Sequence, residues 1–294
     1  MMLNFYDYPL YRPPAEANNI IIQATYGCSY NNCSFCSMYV DKKFKVRELK
    51  DIYKEIDVLA LNYPDATKVF LADGDALSLD TQYLVKILKY LSKSFLRLRR
   101  VSLYASTQNI LNKTQDELEL LQENNLKLIY FGIESGNNTI LNKITKGVTQ
   151  KEMIDSLKKV SNANIKISAT VILGIGGSTY SKEHIKDTAY LVNNTTINYL
   201  STLQLGLDDD IKDRFYKNFN DFKLMDDGEI MCEQKSFMEL LNPINKVIFR
   251  SNHASNAFHL SGTLPKDKQK LLDDINYALG IGEDAFVPKD YRGF

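Results

Sequence analysis

Hydrophobic positions along this 294-residue chain follow two alternating patterns. Short apolar runs predict β-strands at 20–25, 68–72, 101–106, 128–133, 167–173 and 199–205. Between these runs, apolar residues recur three and four positions apart, which predicts helices at 51–61, 82–95, 116–121, 151–163 and 182–192. Thr114 with Glu117 predicts a capping box for the third helix, and Ser181 is a candidate N-cap for the last.

Six strand–helix units in succession determine the expected fold. They predict an α/β protein whose parallel sheet curls into a partial (β/α)6, TIM-like barrel. We expect residues 1–206 to form this barrel with an N-terminal extension. Residues 207–294 are expected to form a short C-terminal extension that packs on the same domain and closes the barrel, with a helix over 266–279. In such a barrel, ligands bind at the carboxyl ends of the strands.

Composition narrows the functional classes. Apolar residues make up 44% of the chain, which is enough for a full core, and the formal net charge is zero with a pI near 6.8. This balance argues against a large nonspecific nucleic-acid surface. No run of about 18 uncharged apolar residues predicts a membrane span. The N-terminus lacks the basic and apolar pattern of a signal peptide, so we expect a reducing, cytoplasmic setting.

Three of the four cysteines fall in one loop, directly after the first predicted strand. The run G-C-S-Y-N-N-C-S-F-C contains Cys28, Cys33 and Cys36. Three thiolates at this spacing can hold three irons of a cubane cluster and leave the fourth iron open, and an open metal position is where chemistry occurs. A structural zinc site remains an alternative. Its fourth ligand would come from Cys232, His184, His253 or His259.

Other polar residues follow the predicted strands. The second strand ends in Asp73, Gly74 and Asp75, where the glycine permits a tight turn between two carboxylates. The fourth strand ends in Glu134 and Ser135, and the fifth runs into the glycine-rich stretch G-I-G-G. Each motif alone is weak, but together they predict a ligand site at the barrel mouth. Cys232, isolated in the sequence, is expected to be a small buried apolar residue.

With these residues in place, the chain resembles radical S-adenosylmethionine (radical SAM) enzymes over most of its length. The usual family loop is C-x3-C-x2-C with an aromatic residue before the third cysteine. Phe35 occupies that place here, and the first gap holds four residues. The family's G-G-E motif, which binds the SAM amino group, corresponds to Asp73–Asp75 with aspartate in the last place. The E-S-G run resembles the ribose-contacting region of the coproporphyrinogen-oxidase-like and methylthiotransferase-like branches.

The resemblance implies a set of cofactor contacts. The three cysteines would bind a 4Fe-4S cluster, and Glu134, with Ser135 beside it, would face the ribose hydroxyls of S-adenosylmethionine. Ser168 would approach the SAM carboxylate. The adenine-side pattern of the family, G-x-I-x-G-x-x-E, retains only Ile172 and Gly174 and has Gly177 where glutamate is usual.

The resemblance also implies an activity. A single cluster would reductively cleave S-adenosylmethionine to a 5′-deoxyadenosyl radical, which would abstract hydrogen from an unidentified substrate. A reductase partner such as flavodoxin or ferredoxin would supply the electron. Met38 stands where a coproporphyrinogen oxidase would carry a fourth cysteine, so porphyrin oxidation is not expected. The alternative is a zinc-stabilised or cluster-containing binding protein without turnover.

Substrate recognition is expected outside the six repeats. Arg12 precedes two prolines in a rigid, extended N-terminal piece. Arg250, Asn252, His253 and Asn256 follow the short strand-like run V-I-F and are further candidates. For His253, a hydrogen-bonded structural role in a loop is the alternative.

Overall fold

Eight strands form one mostly parallel sheet in the computed structural model, which describes residues 6–293. The strand order is β1-β4-β5-β6-β7-β8-β9-β10, and β2 pairs with β3 in a separate antiparallel ribbon. The strands are β1 (Ile20–Gln23), β2 (Thr25–Tyr26), β3 (Lys45–Val46), β4 (Lys68–Ala72), β5 (Arg100–Tyr104), β6 (Leu126–Glu134), β7 (Lys166–Leu173), β8 (Tyr199–Gln204), β9 (Val247–Ser251) and β10 (Leu260–Leu264).

Helices follow the strands of this sheet. They are α1 (Leu49–Asn62), α2 (Thr81–Ser94), α3 (Thr107–Leu111), α4 (Gln115–Glu123), α5 (Asn138–Lys143), α6 (Gln150–Asn162), α7 (Gly177–Asn193), α8 (Asp209–Asn218), α9 (Asp227–Leu240) and α10 (Lys268–Ile281). The predicted α/β class with six strand–helix units is confirmed. The C-terminal residues lengthen the sheet by β9 and the antiparallel β10, and no closed barrel forms among residues 6–293. None of the described helices is both long enough and apolar enough to cross a membrane.

The described chain divides into two units. The first comprises residues 6–31, 38–131 and 159–166. Alternating residues of its strands pack on opposite faces, as the two-residue period of a strand requires. One face buries Ile21, Phe70 and Ala72, and four partly buried side chains pack against this cluster. These are Tyr6, Leu10, Tyr104 and Tyr130.

The second unit comprises residues 32–37, 132–158 and 167–293. Strand β7 alternates between buried and partly buried positions, and α9 packs against both α7 and α10. Asn256 joins β8 to the end of β9. Its Oδ1 accepts from the Gln204 N–H at 2.8 Å, while its amide donates to the Thr202 carbonyl and the Ser251 hydroxyl, each at 2.8 Å.

Of three predictions made from local sequence, one is confirmed and two are wrong. The capping box of Thr114 and Glu117 is confirmed by both reciprocal hydrogen bonds. The N-cap prediction for Ser181 is wrong, because α7 begins at Gly177 and Ser181 lies inside it, where its hydroxyl donates to Glu233. Cys232 is exposed on α9 rather than buried.

Candidate functional site

The Asp-Gly-Asp turn after β4 lies in the first unit. The Asp73 carboxylate is fully buried, and its Oδ2 accepts from the Lys42 ammonium at 3.0 Å, the Gly27 N–H at 3.3 Å and the Gln23 amide at 3.4 Å. Burial raises the pKa of Asp73, and the hydrogen bond and charge of Lys42 oppose that rise. Lys42 is therefore the counterion that makes this buried carboxylate tolerable.

Asp75, two residues after Asp73, has different hydrogen-bond partners. Its Oδ2 accepts from the Ser29 hydroxyl at 2.6 Å and from the Asn109 amide. Burial raises the pKa of Asp75 to about 6, against the opposing hydrogen bonds of Ser29, Ser106 and Asn109. The hydrogen-bond donors to this carboxylate are neutral. Asp75, rather than Asp73, can therefore still bind a cationic ligand.

Gly74 separates the two carboxylates and lies under the ring of Tyr39. A Cβ at position 74 would stand 2.4 Å from a ring carbon of that tyrosine. No side chain fits there without displacing the ring. The glycine is therefore required by packing as well as by the turn.

The cysteine loop runs between β2 and β3. None of the four cysteines, all of them within the described residues, forms a disulfide. Cys33 and Cys36 form a tight turn in which the Cys36 N–H donates to the Cys33 carbonyl at 3.3 Å. Ser34 between them donates its N–H to the Ile144 carbonyl at 3.0 Å, which attaches the turn to the end of α5.

Two cations border the segment 32–37 within the second unit. The Arg214 Nη2 donates to the carbonyls of Cys33 at 2.7 Å and Cys36 at 3.0 Å. The Lys146 ammonium lies 3.2 Å from Glu134 Oε1 and 5.9 Å from the centroid of the Phe35 ring. Burial opposes the charge of Lys146, but the charges of Glu134, Cys33 and Cys36 raise its pKa overall.

Strand β6 ends in a distorted segment that presents Glu134. Its φ of 58° is in the left-handed region, and its carboxylate turns back over Gly132, where a Cβ would stand 1.9 Å from Glu134 Oε1. Gly136 is equally confined, since a Cβ there would stand 2.5 Å from the Asp187 carbonyl oxygen. The left-handed backbone at Glu134 and the close packing of Gly136 therefore constrain the segment that carries the carboxylate.

The buried side chain of His184 is hydrogen-bonded to the segment that carries Glu134. His184 Nε2 lies 3.1 Å from the Ile172 carbonyl, so it carries the proton, and Nδ1 accepts from the Ser135 hydroxyl at 2.9 Å. Burial lowers the pKa of His184 to about 4, so the ring is neutral at physiological pH. Both ring nitrogens are engaged in hydrogen bonds, which favours a structural role over the zinc-ligand alternative.

The remaining cofactor candidates lie on β7 and just after it. Ser168 is partly buried on β7. Gly174, with φ of 77°, donates its N–H to Glu233 Oε1 at 2.6 Å, and a Cβ there would stand 2.4 Å from Ile230. Close packing against Ile230 of α9 thus explains why residue 174 is a glycine. Its contact with a cofactor stays a prediction, as does that of Ser168.

The substrate candidates differ in exposure and in hydrogen-bond partners. Arg12 and Asn252 are exposed, and Arg250 donates to the main-chain carbonyls of its own sheet edge, at Phe249 and Gly262. His253 Nδ1 lies 2.9 Å from the Ser255 hydroxyl, within a loop, and Asn256 is the buried brace described above. A substrate role for these residues stays a prediction.

The donor set suits an iron–sulfur cluster in its chemistry. Cysteine thiolates are the usual protein ligands of such clusters, and the positive charges of Lys146 and Arg214 suit an anionic, thiolate-ligated group. Among residues 6–293, no three His, Cys, Asp or Glu side chains form a ready-made metal-binding set. The fit therefore lies in the donor chemistry and in the charges around the loop.

Sequence reasoning did not identify Lys42, Lys146, Arg214 or Glu233. Lys146 stands in the I-T-K-G run after the E-S-G motif, so its position in the sequence was a usable signal. Arg214 lies on α8, far from any motif, and nothing local in the sequence connects it with the cysteines.

Comparison with known proteins identifies the family. Residues 22–191, more than half of the chain, match the model described as the radical SAM superfamily. A putative methylthiotransferase of Methanocaldococcus jannaschii is 24% identical over 164 residues, which is 53% of this chain and 35% of that protein. The heme chaperone HemW of Bacillus subtilis is 23% identical over 164 residues, which is 55% of this chain and 42% of that protein. The chain thus spans less than half the length of these relatives.

A solved structure supports the fold. Coproporphyrinogen III oxidase (HemN) from Escherichia coli, a radical SAM enzyme, matches with a TM-score of 0.53 and 12% identity, over 75% of this chain and 52% of that one. At this identity the likeness concerns the fold alone.

Proposed function

The chain belongs to the radical SAM superfamily, and on that premise we propose that it is an enzyme with a single 4Fe-4S cluster bound by Cys28, Cys33 and Cys36. When bound, the cluster supplies the electron that cleaves S-adenosylmethionine, giving methionine and a 5′-deoxyadenosyl radical that takes hydrogen from a substrate. The observation that carries the proposal is the thiol-bearing turn 33–36, with cations on Arg214 and Lys146 beside it.

The chain's own residues would then orient the cosubstrate. Asp75 offers a buried carboxylate for the SAM ammonium, and its hydrogen-bond donors Ser29 and Asn109 are neutral. Glu134, held by Lys146 and by its constrained backbone, offers carboxylate oxygens to the ribose hydroxyls. Ser168 and Gly174 would complete the SAM-binding side, and Ser135 fixes the Glu134 segment through His184.

The electron donor is proposed to be a low-potential reductase partner such as flavodoxin or ferredoxin. The substrate stays open, because the relatives differ in what their names describe, a putative methylthiotransferase and a heme chaperone. The division into a partial barrel with an N-terminal extension, 1–206, and a C-terminal extension, 207–294, is likewise retained as a proposal.

The test is anaerobic reconstitution with iron and sulfide, followed by SAM and dithionite. Iron per chain and 5′-deoxyadenosine are quantified, the latter by mass spectrometry. Cys33→Ala should abolish product formation and most iron uptake, whereas Cys232→Ala removes an exposed cysteine of α9 and should change neither.

Two outcomes would overturn the proposal. A colourless protein that retains one zinc after reconstitution would favour the zinc-stabilised binding protein. A complete cluster that gives no 5′-deoxyadenosine with a broad set of substrates would favour a cluster-containing protein without turnover.

A further inference from the structure

Helix α8 contacts the cysteine turn from outside the region that matches the family model, which ends at residue 191. Arg214, in the middle of this helix, donates from Nη2 to the Cys33 carbonyl at 2.7 Å and the Cys36 carbonyl at 3.0 Å. One nitrogen thus bridges the two ends of the turn. The Cys33 carbonyl also accepts from the Cys36 N–H, so both of its lone pairs are used.

The start of α8 makes a second contact with the same segment. Asp208 is the N-cap residue, a position where aspartate usually accepts from the first turn of its own helix. Its side chain makes no such bond here, and instead it accepts from the Ser37 hydroxyl, one residue beyond Cys36. Helix α8 therefore lacks this side-chain cap, and it is hydrogen-bonded to the cysteine segment at both Cys36 and Ser37.

The Arg214 guanidinium has a buried donor that the turn does not use. Its Nε is buried and, among the described residues, has no hydrogen-bond partner. Nε and Nη2 share one edge of the planar guanidinium group, so this donor lies on the edge that holds the turn. An unpaired buried donor is costly, which indicates that an acceptor belongs to the functional state.

We propose that Arg214 is a positioning residue for the cluster. Nη2 fixes the Cys33–Cys36 turn, and Nε donates to a sulfur acceptor that the loaded turn carries. Hydrogen bonds and positive charge near cluster sulfurs raise the reduction potential. This inference rests on the proposed function and assigns to α8, in the C-terminal extension, control over cluster retention and potential.

The experiment compares four reconstituted proteins: wild type, Arg214→Gln, Arg214→Lys and Lys212→Gln. Lys212 is the matched control, because it lies on the same helix, is exposed and forms an ion pair with Asp209 of that helix. The midpoint potential is measured by titration followed by EPR, and the rate of iron loss is measured with a chelator. Neither readout requires turnover.

The expected results distinguish the effect of the positive charge at position 214 from that of the hydrogen bonds of the guanidinium group. Arg214→Gln should reduce the equilibrium constant for one-electron reduction about tenfold, a midpoint about 59 mV more negative, and should lose iron at least threefold faster. Arg214→Lys keeps the charge but loses the Nε donor, so its midpoint should lie between those of wild type and Arg214→Gln while iron loss accelerates. Lys212→Gln should match wild type in both.

Wild-type midpoint and iron-loss rate in Arg214→Gln would overturn the inference. If Arg214→Gln does not fold, Arg214→Lys decides, and wild-type iron loss in that variant overturns the positioning role. When the wild type binds iron and cleaves SAM but the Arg214 variants match it, only this inference fails. Absence of iron uptake by the wild type would overturn the proposed function and this inference together.

Discussion

The Lys42 ammonium lies 3.0 Å from Asp73 Oδ2, with the lysine side chain 6% exposed and the aspartate fully buried. Lys42 also donates to the Asp7 main-chain carbonyl at 2.6 Å. A buried ion pair gains little over an apolar pair of the same shape, because desolvation offsets the attraction. Removing one partner is different, since it leaves an uncompensated charge in the interior.

We therefore expect Lys42→Met to lower the free energy of unfolding by about 3–5 kcal/mol, measured by urea denaturation of the protein without cluster. Lys43→Met, at the exposed neighbouring position, should change it by less than about 0.5 kcal/mol. Adding Asp73→Asn to Lys42→Met should restore part of the loss. A loss below about 1 kcal/mol for Lys42→Met would show that Asp73 needs no counterion.

Glu233 makes stability depend on pH. Burial raises the pKa of Glu233 from 4.5 to about 7, against the hydrogen bonds from Ser181 and Gly174. The folded protein thus binds this proton more tightly than the unfolded chain. The stabilisation is fully present below pH 4.5 and is lost as pH rises through 7. At about 1.4 kcal/mol per pKa unit, it amounts to about 3 kcal/mol.

Glu233→Gln removes this titration and keeps the shape of the side chain. The free energy of unfolding of the wild type, minus that of the variant, should fall between pH 4.5 and 7 and stay level above it. Urea denaturation at a series of pH values measures this difference. A difference that does not change with pH would mean that Glu233 titrates normally in the folded protein.

The packing around Gly136 and Gly280 predicts opposite effects on stability when each glycine is replaced by alanine. At Gly136 a new Cβ would lie 2.5 Å from the Asp187 carbonyl oxygen and 2.7 Å from the Thr188 Cα, both backbone atoms that cannot move aside. At Gly280, near the end of α10, a Cβ meets nothing within 4 Å. Gly136→Ala should lower the melting temperature by several degrees, in line with about 1–3 kcal/mol for overpacking. Gly280→Ala should raise stability by about 0.5–1 kcal/mol through helix propensity. Calorimetry of both variants compares them, and equal effects would contradict the packing at Gly136.

We expect Glu134 to contribute to SAM affinity. Glu134→Gln keeps the size of the side chain and removes the charge, so the loss of a charge-assisted hydrogen bond should weaken SAM binding about tenfold. Isothermal titration calorimetry of the reconstituted protein measures this, with Glu183→Gln on the exposed side of α7 as the matched control. Unchanged affinity in Glu134→Gln would remove Glu134 from the ribose contacts.

The repeated part of the fold was predictable, because burial there depends on local periodicity. The run 68–72 coincides with β4, and the predicted helix 82–95 differs from α2 by one residue at each end. Short helices such as α3 and α5 have too few turns to show a period. Ser181 failed as an N-cap because its hydroxyl bonds to Glu233, more than fifty residues away, and no local pattern reports such a partner.

The candidate site was predictable only where one side chain implies the chemistry. Cysteine spacing and carboxylates at strand ends are local signals. Arg214 and Lys42 were not predictable, because their partners are a pair of main-chain carbonyls and a carboxylate that only the folded chain brings to them. Asp75 was identified, but its pKa near 6 depends on burial that the sequence does not state.

The different partners of Asp73 and Asp75 determine how each carboxyl of the Asp-Gly-Asp run responds to pH. Asp73 is neutralised by an internal cation, while Asp75, whose pKa is about 6, takes up or releases a proton just below neutrality. A fall in pH through about 6 would protonate Asp75 and remove its attraction for a positively charged ligand. One carboxyl of this short motif is thus held in an internal ion pair, while the other can adjust its charge near neutrality.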